Sequence, residues 1–250
     1  MFYPASGAVL KTVVEGWLEE PPAGPTPKAL IVPHAGLMYS GPVAGKAYSR
    51  IIPAHKAITR VVIIGPCHRV ALRGLALSGA TAFQTPLGAV PVDRPLVTRL
   101  QTLPHVGVAE AAHEDEHSIE VQLPFLQVVL ASFSIVPVAA GEARPEEVAA
   151  LLETAWGGPE TLIVVSTDLS HYHPYEQARA IDEETAEAIE RMDVDAIEPE
   201  CACGCVGLRG LLLEARRRGM RVERIDLRNS GDTAGPKDQV VGYGAFALME

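Results

Sequence analysis

The chain has 250 residues, 48% hydrophobic and 21% charged, enough to bury a substantial core, and it reads as one domain over residues 1–250. Its 31 acids against 21 bases give a net charge of -10, which repels phosphate backbones and anionic lipid and argues against nucleic-acid or membrane partners. No apolar run approaches the roughly 20 residues that span a bilayer, and "MFYPASG" lacks the charged start and long apolar stretch of a secretion signal, so a cytoplasmic location is expected.

In chain order, "KALIVPHAG", "GPVAGKAYSRII" and "ITRVVIIGPCHR" alternate β-branched runs with a helical period and predict a βαβ unit with a loop after each strand. "LRGLALSGATAFQTPLGAVPVD" is broken by Gly and Pro and predicts short extended segments at the sheet edge or over the site. A helix from about Glu116 to Leu130 follows, then the strand "SIVPVAA", a helix opened by "GEARPEEVAALLETAW" and the strand "TLIVVSTDLSHY". The helical periods of "YEQARAIDEETAEAIERM" and "VGLRGLLLEARRRG" precede two final strands, "MRVERIDLRNS" and "VVGYGAFALM". The expected fold class is α/β, a mostly parallel or mixed central sheet flanked by helices.

His113, Glu114 and His117 spell H-E-x-x-H, which on a helix would present two imidazoles to zinc. Ile119, Leu123, Leu126 and Leu130 define the apolar stripe of the predicted helix. At ~100° per residue, His117 and His113 fall about 160° and 120° from Ile119, off that stripe. The match reads as a coincidence of spelling in front of an acidic helix N-terminus.

Residues at the ends of predicted strands carry more weight, because open α/β sheets bind ligands there. They are His34 after the first strand, His68 after the second, and Asp168 and His171 after "LIVVS". Imidazole and thiolate suit zinc, copper or iron, and two histidines with one anionic ligand suit iron(II). Asp168 stands three residues before His171, a spacing from which its carboxylate can orient that imidazole or cap the following turn. Cys201, Cys203 and Cys205 alternate in "ECACGCVG", a spacing that fits neither C-x-x-C nor disulfides, and they are expected to be free thiols, with Cys203 or Cys205 a ligand or nucleophile near a helix start.

Taken together, "FYPAS", "VPHAGLMYSGPVAGKAY", "GPCHR", "FQTPLGAVPVD", "EHSIEVQLPFLQ", "STDLSHY", "ACG" and "GYGAFAL" resemble the Memo family, protein B of the AmmeMemoRadiSam system, along nearly the whole chain. The resemblance implies a fold like the class III extradiol dioxygenases, the LigB group. It implies metal-site roles for His34, His68 and Cys203, holding iron(II) or copper, and a proton-transfer role for His171. A cysteine at the third position departs from the two-histidine, one-glutamate site of those dioxygenases, and Cys67 stands beside His68. Glu116, His117 and Tyr39 are expected at the border of the cleft as substrate contacts or supports for the ligands. Two functions stay open. One is a metal-dependent oxidoreductase acting on a small phenolic substrate. The other is a non-enzymatic interaction or peptide-binding protein using the same cleft, with AMMECR-type and radical SAM partners.

Overall fold

The computed structural model describes residues 2–250. Helix α1 (Gly7–Glu15) opens where the Ser6 hydroxyl accepts a hydrogen bond from the amide of Val9, and it is anchored by buried Leu10 and Val14. Strand β1 (Ala29–Val32), helix α2 (Leu37–Ser49) and strand β2 (Arg60–Pro66) then form the anticipated βαβ unit. Short strands β3 (Leu75–Leu77), β4 (Ala82–Thr85) and β5 (Gly88–Pro91) lead to α3 (Arg94–Leu100) and β6 (Val106–Val108). Next come α4 (Leu123–Val129), β7 (Ser134–Ala140), α5 (Pro145–Ala155), β8 (Thr161–Ser166) and β9 (His171–His173). The chain finishes with α6 (Tyr175–Glu190), α7 (Cys205–Arg217), β10 (Arg221–Asn229), the single turn α8 (Ser230–Thr233) and β11 (Val240–Met249).

The sheet is mixed, in the order β10-β11-β1-β8-β2-β7-β3-β6, with β9 added to β11. At its centre β1, β8, β2 and β7 run parallel, and nearly every residue in them is buried, as their continuous Val, Ile and Leu runs require. Antiparallel β10 and β11 extend one side and antiparallel β3 the other. The segment with many Gly and Pro residues therefore divides: β3 joins the main sheet, whereas β4 and β5 form a separate hairpin. Helix α7 packs on β2, β8 and α5, while α2 packs on β1 and the β10–β11 ribbon. Among the described residues no helix is long and apolar enough to cross a membrane.

The expected helix from Glu116 to Leu130 is shorter than its apolar period suggested. Regular α-helix begins at Leu123, with Pro124 in its first turn, where a missing N–H costs nothing. A single 3-10 turn, Glu120–Gln122, precedes it, and Asp115 takes a left-handed φ of 59°. Residues 113–119 are thus a loop, free to carry side chains in directions a helix would forbid.

Helix α6 carries one buried acid, Asp182, only 2% exposed. Its carboxylate accepts the Ser170 amide at 3.0 Å, joining α6 to the loop after β8. Burial pushes this carboxyl up to about 6, against the opposing pull of the Ser170 amide. An unperturbed aspartate titrates near 3.8, so the folded state holds this proton more tightly than the unfolded one. The associated stability is present in full below that pH and is lost as pH rises through about 6. Asp182→Asn keeps the acceptor and removes the buried charge. Urea unfolding should show it more stable than wild type by about 1–3 kcal/mol at pH 7.5, with the gain vanishing near pH 4.

Candidate metal centre

Three neighbouring parallel strands end together, and each delivers a polar side chain just beyond its carboxyl end. His34 lies two residues past β1, His68 two past β2, and Ser166 closes β8 between them, followed by Asp168. Because β8 separates β1 from β2, the two imidazoles meet above it, with ring centroids 5.4 Å apart. Gly65 permits this crowding, since a Cβ there would stand 2.5 Å from the Ser118 hydroxyl.

Hydrogen bonding assigns the protons. The Ser166 hydroxyl donates to the Ser118 carbonyl at 2.6 Å and accepts from Gln122 Nε2 at 2.8 Å. Gln122 Nε2 also donates to the Pro33 carbonyl at 3.0 Å, while its Oε1 accepts from the Tyr48 hydroxyl at 2.9 Å, which orients the amide. With its one proton spent, Ser166 Oγ can only accept from His34 Nδ1, 2.9 Å away. His34 is therefore the Nδ1–H tautomer, and its unprotonated Nε2 faces Cys203 Sγ. Likewise His68 Nδ1 lies 3.0 Å from Glu116 Oε1, an acceptor, so the proton of that bond is on Nδ1 and Nε2 is the atom left for a metal. Glu116 is buried, and it additionally accepts the amides of His68, His117 and Ser118 at 2.7–2.9 Å.

His117 completes the group. Its ring lies 5.5 Å from that of His34 and 5.4 Å from that of His68, and one ligand nitrogen from each of the three falls within 4.8 Å of the others. The sequence placed His117 at the cleft border, off the core face of a helix. The loop at 113–119 removes that helix and turns the ring into the site. The other histidine of the H-E-x-x-H match, His113, bonds the Ala76 carbonyl through Nε2 at 3.0 Å and belongs to the β3 packing. The match is indeed not a metallopeptidase motif, yet one of its two histidines is a cluster member.

Cys203 stands on the His34 side, with Sγ 3.4 Å from His34 Nε2 and 3.3 Å from the Asp168 amide. Gly204 allows this approach, because a Cβ there would sit 2.6 Å from the Ser166 carbonyl. Asp168 faces the His34 loop: its Oδ1 accepts the amides of His34 at 2.8 Å and Ala35 at 3.3 Å. Among the described residues no hydrogen bond joins Asp168 to His171, so the expected pairing of the two gives way to a backbone clamp on the His34 loop. His171 lies on β9, half-buried, paired with Val241 of β11. Tyr39 lies in the first turn of α2, packed against Gly36 of the His34 loop. All four cysteines are free; Cys67 points toward the carbonyls of Val70 and Ala112, and Cys205 is buried at the start of α7.

Burial governs the charges. It lowers His34 to about 4 and also depresses His117, so both are neutral imidazoles at neutral pH. It opposes ionisation of Glu116 as well, but the hydrogen bonds from the His68 ring and from the His68 and Ser118 amides outweigh it and hold this carboxyl well below the usual range. The Cys203 thiol, buried and close to Asp168, is pushed up to about 12.

The donor set fits a transition metal. Two Nε2 lone pairs are set by hydrogen bonds behind the rings, the usual support of a metal-binding imidazole. The Nδ1 atom of His117 is buried with no hydrogen-bond partner, 3.6 Å from the already saturated Glu116 Oε1. Beside the cluster opens a cleft of about 660 Å³, lined by Phe2, Arg69, Val70, Glu116, His117 and Glu120.

Comparison with known proteins agrees with this architecture. Residues 1–247 match the family described as Memo-like protein. A MEMO1 family protein of Aquifex aeolicus is 35% identical, aligned over 97% of this chain and 94% of its own length. One from Archaeoglobus fulgidus is also 35% identical, over 99% and 96%. The crystal structure of an uncharacterized protein from Escherichia coli K12 superimposes with a TM-score of 0.55 at 14% identity, covering 86% of this chain and 98% of that one, a likeness of fold alone.

The hydroxyl behind His34 can be tested without any metal. Ser166→Ala strips partners from Gln122 Nε2, the Ser118 carbonyl and His34 Nδ1 in a buried site. Denaturant unfolding of the metal-free protein should show a loss of about 2–4 kcal/mol, the cost of stranding buried polar groups.

Proposed function

This chain belongs to the Memo family, and we propose that it is a non-haem metal protein whose ion is held by His34, His68 and His117, with the Cys203 thiolate as a further donor and iron(II) or copper as the metal. The observation that carries this reading is the convergence of His34 and His68, each held by a hydrogen bond at Nδ1, with His117. An ion bound there would supply Lewis acidity and electron exchange with dioxygen. The protein's own contributions are separate from that chemistry. Asp168 holds the His34 loop through two amides, and Glu116 holds His68. His171, beyond the cluster on β9, is the group proposed to take and return a proton at its ring nitrogen, for a small phenolic substrate in a dioxygenase-like reaction.

A second reading, a scaffold for AMMECR-type and radical SAM partners, is favoured by apolar side chains left exposed next to site residues in the chain. Phe2 stacks on His117, Val70 follows His68 by two positions, and Tyr172 adjoins His171 at 69% exposure. Oxygen uptake with a catechol panel discriminates the two. Turnover lost in His171→Ala supports the enzyme, and no uptake by metal-loaded protein leaves the scaffold.

Anaerobic purification followed by metal analysis should find iron or copper in the wild type and little in His34→Ala. The thiol adds a pH signature. Its pKa of about 12 means that Cys203 must release a proton on becoming a ligand, whereas His34 has none to lose at neutral pH. Affinity should therefore rise about tenfold per pH unit from 6 to 8, and Cys203→Ser should flatten that slope. A wild-type affinity constant across this range would leave the three imidazoles as the only donors.

A further inference from the structure

His34 and His68 are each oriented by a hydrogen bond behind the ring, from Ser166 and Glu116 respectively, whereas His117 has no such partner and its Nδ1 is buried without one. What lies against His117 instead is the ring of Phe2, stacked with centroids 4.0 Å apart and planes 9° from parallel. The backbone of the same residue reaches the other ligand loop: the Phe2 carbonyl accepts the Leu37 amide at 2.8 Å and lies 3.7 Å from where a Cβ on Gly36 would be. Tyr3 then bonds Glu120, three residues beyond His117. The segment from Phe2 to Ser6 is thereby tied at one end to α1, whose first turn Ser6 caps, and at the other to both the His34 loop and the His117 loop.

We infer that Phe2 is a positioning residue of the metal centre, fixing the ring plane of His117 by stacking, in the place where the other two histidines use a hydrogen bond. The inference rests on the metal-binding reading above. A flat aromatic face against an imidazole restricts rotation about the ring's last torsion, a broad one with little preference of its own. It does so without consuming a ring nitrogen. Since Phe2 also holds the amide at the start of α2, it sets the separation of the His34 and His117 loops as well as one ring plane.

Cobalt(II) titration of the full chain, read through the visible d–d absorption, tests this directly because the band reports donor number and geometry. Phe2→Ala should weaken cobalt binding about tenfold, the low end of what losing a ligand's support costs, and should shift or weaken the band. Phe2→Leu keeps apolar bulk but no flat face and should follow Ala. Phe2→Tyr should restore both affinity and band. Wild-type affinity and spectrum in Phe2→Ala, wild-type behaviour in Phe2→Leu, or failure of Phe2→Tyr to restore them would each overturn the positioning role while leaving the metal centre intact. A wild-type titration no different from that of His34→Ala would overturn both readings together.

Discussion

One hydroxyl hydrogen decides the chemistry of this site. Ser166 Oγ spends it on the Ser118 carbonyl, must then accept from Gln122 and His34, and so turns the His34 Nε2 lone pair outward. Every participant is buried, where an unmade hydrogen bond is expensive, so the network tolerates one arrangement of protons. Through Gln122 it reaches the Pro33 carbonyl and Tyr48, and through Ser118 the Pro66 carbonyl, joining the ends of β1, β8 and β2 to the loop that carries His117. A protein whose central sheet were merely hydrophobic would hold its strands as well. It would not hold its imidazoles in one tautomer.

Around that hydroxyl the three histidines are supported in three different ways. A neutral hydroxyl backs His34, an ionised carboxylate backs His68, and an aromatic ring lies against His117. The buried carboxylate of Glu116 is stabilised by amides and the His68 ring, so it raises the basicity of that imidazole without an exposed ion pair. Cys203 differs from all three because its thiol is protonated until something displaces the proton. Two imidazoles that burial keeps neutral, His34 and His117, thus stand beside one thiol that holds its proton.

Much of this was legible in the sequence because parallel strands announce themselves. The β-branched runs ending at "PHAG", "GPCHR" and "STDLSHY" placed His34, His68 and Asp168 at strand ends, and adjacent strands of one sheet carry their ends to a common edge. The sequence alone puts His117 at the cleft border on a helix, because the apolar period of Ile119, Leu123, Leu126 and Leu130 runs back beyond Leu123, where regular α-helix begins. Pro124 was the available signal, since a proline fits the first turn of a helix and resists any later position. The pairing of Asp168 with His171 failed for a related reason. Spacing of three residues implies contact only within a regular element, and here β8 ends before it, leaving Asp168 turned to the His34 loop.

The sequence by itself determined the α/β class, the order of the buried strands, the family, and which residues could serve as ligands, because those follow from local periodicity and from motifs written contiguously. Tertiary structure alone decided that β8 lies between β1 and β2, that a loop and not a helix carries His117, and that Phe2, more than a hundred residues away in the chain, lies flat against that ring. The physical reason is that ring planes, tautomers and thiol acidity are set by neighbours in space within a few ångströms. Local patterning names those neighbours only when they are also neighbours along the chain.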